Sequence, residues 1–266
     1  MITILLLGLL VGAVLGLTGA GGGILANPAL MAGMGWSMQQ STPVALFAVA
    51  GSALLGALDG LCQKIVRYKA ALLMALSGMP FTTLGIIIAQ SLPQRLLLVL
   101  FASIMLIVAA RQLQQTRTTH TSLATDNVPC PINPASGRFE WTGSTVLILG
   151  TVGAGTGLMT GLLGVGGGFI IVPVLRKLTN LSLQSIVATS LMVIALVSGS
   201  GILSALIHGI RLPTDIVIAF SLATATGMLI GRGMISRLSD RLIQRGFASV
   251  LIVIALSLLI KATQLS

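Results

Sequence analysis

The sequence predicts an all-α polytopic membrane protein made of two homologous halves, each with about four transmembrane helices plus a glycine-broken half-helix. Three observations lead there: a shortage of charge, apolar runs long enough to cross a bilayer, and a self-match between the two halves of the chain.

Hydrophobic residues make up 55% of the 266 and charged residues only 8%, against about 25% charged in a soluble domain. The mean hydropathy is +1.04. A soluble fold of this length has too little interior to hide that much apolar surface. Met1 to Leu58 and Leu178 to Ile210 contain no Asp, Glu, Lys or Arg. Roughly 20 apolar residues cross the hydrocarbon core, so the lipid bilayer is the chain's first partner. The formal net charge of +10 does not point to nucleic acid. Its basic residues stand singly or in pairs without interleaved aromatics, as in loops beside spans. Cys62 and Cys130 have neither metal-ligand spacing nor the numbers of a disulfide framework. Ile2 to Leu17 lacks a basic flank and a small-residue cleavage site, and reads as a retained helix.

The duplication emerges on shifting the chain by 145 positions. Gly8 to Leu30 then aligns without a gap on Gly153 to Leu175, with ten of 23 positions identical and seven of those ten glycine. The same shift pairs Ser37 with Ser182, Gln39 with Gln184 and Leu46 with Leu191. A repeat at fixed offset defines the units from which a chain was built. The division is 1–112 as one membrane repeat, 113–141 as a polar linker rich in Thr, Asn and Pro, and 142–266 as the second repeat.

Within the repeats the apolar segments fall at about 2–20, 41–58, 69–90 and 93–111, then 142–164, 183–208, 213–232 and 241–261. Shorter pieces at 24–35 and 169–178 follow the glycine clusters. Such pieces make helices of about 15–18 Å, half a bilayer. If each short piece re-enters and returns, there are eight spans and the loop Lys and Arg divide eight to seven, which gives no orientation. If each completes a crossing, the span count per repeat is odd and the repeats are inverted. The second arrangement is favoured, because the first leaves the positive-inside rule unsatisfied.

Gly21-Gly22-Gly23 and Gly166-Gly167-Gly168 are the candidate solute site. Each glycine in a helix costs about 1 kcal/mol relative to alanine. A broken backbone at membrane depth survives only inside protein or beside a wet cavity. Pro28 and Pro173, five residues past each cluster, suit the first turn of a helix that starts near the break. The free N–H groups there favour an anion, and paired broken helices in matching repeats point to a transport site. Packing accounts better for Gly8, Gly12, Gly16 and Gly153, Gly157, Gly161, which have small-xxx-small spacing.

Polar side chains just after the breaks, Asn27, Gln39, Gln40, Thr189 and Ser190, are candidate donors to an oxyanion, with capping or interhelical bonding as the alternative. Ser198, Ser200 and Ser204 read as packing residues, and Arg232 as a snorkelling span end. Asp59 and His208 precede a glycine at matching positions of the two repeats. Proton handling and solvated loop ends both fit them. No G-x-G-x-x-G, Walker loop, nucleophile–base set or metal cluster is visible, so neither an enzyme nor a cofactor is expected.

The pattern G-x-G-G-G-x-x-x-x-P in both halves, on a repeated four-segment unit of about 260 residues in all, resembles the TauE/SafE family of sulfite and organosulfur anion exporters. The second copy, Gly164 to Leu175 followed by Ala188-Thr-Ser-Leu191, matches the family pattern. The first carries Asn27 beside its proline and Pro43-Val-Ala-Leu46 instead. The resemblance implies a multi-pass cell-membrane exporter, as in a bacterial inner membrane, with a small anionic solute as partner. Alternating access around the two breaks is the expected mechanism, and a homo-oligomer is compatible with it. No Asp or Glu lies mid-span, and a membrane potential alone supplies about 2.3 kcal/mol per charge per 100 mV. The competing reading is a channel or scaffold whose glycines serve packing alone.

Overall fold

A computed structural model describes residues 1–18, 22–117, 142–179, 181–207, 213–234 and 240–264. Those residues form ten α-helices: α1 Ile2–Thr18, α2 Gly23–Met34, α3 Met38–Cys62, α4 Tyr68–Ser91, α5 Gln94–Arg117, α6 Gly143–Leu163, α7 Gly168–Leu178, α8 Leu183–Ile207, α9 Thr214–Met234 and α10 Asp240–Gln264. Seven are long and apolar enough to cross a membrane. The protein is an all-helical polytopic membrane protein. Of the eight long segments expected, α1 is the exception: it stops at Thr18, and 17 residues give a helix of about 25 Å. At the other extreme α5 runs on to Arg117, so 113–117 are helical where linker was expected. The rest of the linker, Gly21 and His208 lie outside the described residues.

Local chemistry sets the helix ends. α2 closes on Gly35 in the left-handed region (φ 66°), whose N–H bonds the Met31 carbonyl. Ser37 then starts α3 through a capping box with Gln40. The prolines depart from expectation. Pro28 and Pro173 are each the sixth residue of their helix, one turn deeper than the first-turn position. Both helices start at the last glycine of the cluster, because the break ends where φ/ψ first turn helical.

Glycine allows two helix pairs to touch backbone to backbone. A Cβ built on Gly12 would fall inside the Thr224 carbonyl of α9, and one on Gly157 inside the Gly78 carbonyl of α4. The small-residue series therefore serves packing, as its spacing implied. The contacts also give direction. Gly8 meets Phe220 and Ala223, and Gly16 meets Met228 and Gly231, so α1 and α9 run parallel. Gly153 meets Met74 and Gly161 meets Thr82, so α6 and α4 run parallel as well. α3 and α8 are antiparallel, since Gly60 meets Ala188 and Gly56 meets Leu191, while Gly201 meets Leu46. They form the buried centre. Leu72, Leu76, Ile107, Leu222, Leu229 and Val253 point outward, where lipid solvates them.

Each short helix turns back along the helix before it. Gly22 packs on Leu15 and Gly33 on Leu7, so α2 carries the chain back toward the face where α1 began. α7 does the same against α6, with Ile171 and Leu175 clustered with Leu149. The last five helices thus follow the order of the first five with direction reversed. One face gathers the ends that carry Lys64, Arg67, Lys69, Arg111, Arg176, Lys177, Arg232, Arg241 and Arg245. Among the described residues, the opposite face gathers only Arg95 and Lys261. The even division calculated for eight spans does not hold, because α2 and α7 reverse the sense of every helix after them in their repeat.

Candidate solute-binding site

The second break is a true interruption. α6 ends on Gly164 (φ 66°, ψ 29°), whose N–H bonds the Thr160 carbonyl at 2.8 Å. Gly166 (φ 72°) and Gly167 (φ 64°) also lie in the left-handed region, where a side chain is strained. Gly167 caps α7 with no side-chain partner, so the first N–H groups of that helix lack a capping side chain. The first break differs. Gly22 has ordinary helical angles (φ −62°, ψ −27°) and packs on the Leu15 backbone. A Cβ on Gly23 would sit 2.6 Å from the Val165 carbonyl, so the two breaks meet.

Asn27 fastens that meeting point. It is fully buried, and its Nδ2 donates to the Leu163 carbonyl and, at 2.9 Å, to Thr42 Oγ1. Leu163 is the last residue of α6, so Asn27 satisfies one of the carbonyls that the break orphans. Thr156 and Thr160 on α6 flank Gly167, and Ser198 Oγ on α8 would lie 3.6 Å from a Cβ on Gly166. Thr42, Thr156 and Thr160 were missed by motif reasoning, because none adjoins a glycine cluster in sequence.

The other sequence candidates serve elsewhere. Gln40 completes the capping box of α3. Gln39 Nε2 donates to the Leu92 carbonyl at 3.4 Å. Thr189 Oγ1 donates to the Ser185 carbonyl at 2.6 Å and accepts from the Arg67 N–H at 3.0 Å, holding the start of α4 on α8. Ser190 Oγ donates to the Val187 carbonyl at 2.8 Å. Pro28 is buried inside α2. Of the polar candidates, only Asn27 bonds a residue of a break. Asp59 pairs with Arg232 (Oδ2 to Nη2, 2.7 Å) and accepts from Gln63 Nε2 at 3.0 Å.

A cavity of about 1030 Å³ opens on the basic face and reaches inward to Gly168 and Phe169. Asp59, Gln63, Arg111, Arg176, Arg232 and Gln244 line its outer part, while Leu15, Met159, Leu191 and Met228 line its depth. Pro173 and Gln184 also face it. Toward the opposite face lies a cavity of only about 30 Å³, lined by Gln39, Thr42, Pro43, Leu46, Gly161 and Leu162 among others. Shifted by 145, these become Gln184, Val187, Ala188, Leu191, Gly16 and Leu17, all of which line the large cavity. The repeat-related pair of cavities is large on one side and small on the other.

An all-helical multi-pass membrane protein with its glycine-broken helices crossing at the end of a deep one-sided cavity is, by class, a membrane transporter. The chain belongs to the sulfite exporter TauE/SafE family, whose model matches residues 4–258. It is 27% identical to "Probable membrane transporter protein YjnA" of Bacillus subtilis (strain 168), over 97% of this chain and 99% of the relative. A "Probable membrane transporter protein" of Xylella fastidiosa (strain Temecula1 / ATCC 700964) is 28% identical over 93% of this chain and 90% of its own length. The Bacillus subtilis (strain 168) relative YunE is 25% identical over 78% and 79%. No solved structure matches significantly.

Proposed function

We propose that this transporter exports a small anion, such as sulfite, a sulfonate or a related sulfur oxyanion, by alternating access around the glycine breaks. The pair of repeat-related cavities carries the reading. Inverted repeats can exchange conformations, so that the small cavity widens as the large one narrows. The basic face of such a protein faces the cytoplasm by the positive-inside rule. The large cavity is then the loading vestibule of an exporter in a cell membrane, with Arg111 and Arg176 attracting anions to its mouth. At its inner end the uncapped start of α7 offers N–H groups and the positive end of a helix dipole. On this reading the repeats divide at 1–112 and 142–266, joined by a polar linker. No chemistry on the solute is required. Sulfite flux in proteoliposomes at clamped potential tests the proposal. Voltage-dependent flux is expected, and flux indifferent to both voltage and pH overturns it.

A further inference from the structure

The two breaks lie in unequal surroundings. Asn27, Thr42, Thr156, Thr160 and Ser198 gather at the second break, and each is buried. At the repeat-related positions, 145 residues away, stand Val172, Val187, Val11, Leu15 and Ala53. Every polar residue of the cluster has an apolar counterpart. Three of its oxygens, Asn27 Oδ1, Thr156 Oγ1 and Ser198 Oγ, are buried without a hydrogen-bond partner. A buried polar atom without a partner is costly and calls for an occupant. The Asn27 orientation is fixed by the Leu163 carbonyl, which must accept, so Oδ1 is left as an acceptor in need of a donor hydrogen.

Charge narrows the occupant. None of the buried polar residues gathered at the second break is an Arg, Lys, Asp or Glu. Desolvation cost grows with the square of the charge, so a dianion would cost about four times what a monoanion of equal size costs, with no cation to offset it. Two hydroxyl donors, the N–H groups at the start of α7 and one carbonyl acceptor suit a guest with one negative charge and one hydrogen to donate.

Resting on the transport reading above, we propose that the solute is held at the second break alone, by Thr156, Ser198, Asn27 and the first N–H groups of α7. We further propose that it is a small, singly charged oxyanion that keeps a hydrogen. At the first break the described glycines, Gly22 and Gly23, pack on Leu15 and on the Val165 carbonyl, and we assign them no solute contact.

Sulfite flux into proteoliposomes tests this, with sulfamate and sulfate as near-isosteric competitors of charge −1 and −2. Thr156→Val and Ser198→Ala are each expected to raise KM for sulfite about tenfold, the factor for one lost hydrogen bond to a charged group. Thr156→Ser keeps the hydroxyl and should keep the wild-type KM. Ser52→Ala removes an equally buried hydroxyl that already bonds the Ala48 carbonyl, and should leave KM unchanged. Sulfamate should compete at least about tenfold better than sulfate. Unchanged KM in Thr156→Val and Ser198→Ala would mean that water alone satisfies those hydroxyls, and the assignment falls. A Thr156→Ser variant as impaired as Thr156→Val would mean packing, and the assignment falls in that case too. Equal competition by sulfate removes the charge rule. A wild-type protein that moves no anion sinks the transport reading instead.

Discussion

Asn27 ties together two segments that lie 136 residues apart in the chain, which makes it a quantitative probe of how the crossing is held. Replacing it with leucine, nearly isosteric, leaves no void and introduces no charge. Asn27 has no exposed surface, so water cannot take over its bonds. Thr42 keeps a partner, because its hydroxyl donates to the Met38 carbonyl at 2.8 Å. The Leu163 carbonyl loses the donation that the break requires. An orphaned buried acceptor costs about 1–3 kcal/mol, while polar bonds inside membrane proteins average nearer 0.6 kcal/mol. The expected loss is therefore about 1–2 kcal/mol, or roughly 2–8 °C in Tm for a chain of this size. Thermal unfolding of the purified protein in detergent measures it, beside Thr42→Val and the double variant. The coupling between the two sites should be below about 1 kcal/mol, since Leu163 holds most of the value. A Tm for Asn27→Leu within one degree of wild type, or a larger loss for Thr42→Val, would refute the account of the crossing.

Gly12→Ala and Gly157→Ala place a methyl inside a facing carbonyl, so neither should yield monodisperse protein on size-exclusion chromatography. Gly150→Ala and Gly155→Ala meet nothing within 4 Å and should behave as wild type. Gly167→Ala combines a left-handed φ with a collision against Thr156, so its expected loss of fold does not by itself separate a solute site from packing. Cys62 is exposed at the end of α3, on the basic face. In a Cys130→Ser background it should react with an impermeant maleimide only from the cytoplasmic side; labelling from outside would reverse the assigned orientation.

The resemblance to an exporter family was legible because its motif is local. So were the helices, since hydropathy and the glycine and proline positions are properties of ten to twenty consecutive residues. Both breaks were found from three glycines in a row, and α7 begins on the last of them. The polar shell was not. Gln40 caps the start of α3 and Ser190 bonds a carbonyl of its own helix, whereas Thr156 and Ser198 reach the break from α6 and α8. The signal that could have found them was present in the repeat itself: polar residues in one copy where the other has Val11 and Ala53.

What the sequence determined alone is a membrane-embedded, all-helical chain with two glycine interruptions, because the burial of apolar runs in lipid needs no partner to be specified. Tertiary structure decided the sense of each helix, the concentration of positive charge on one face and the inequality of the two breaks. Those depend on contacts such as Asn27 with Leu163 and Gly12 with Thr224. Residues more than a hundred positions apart meet only once close-packed backbones have chosen their register.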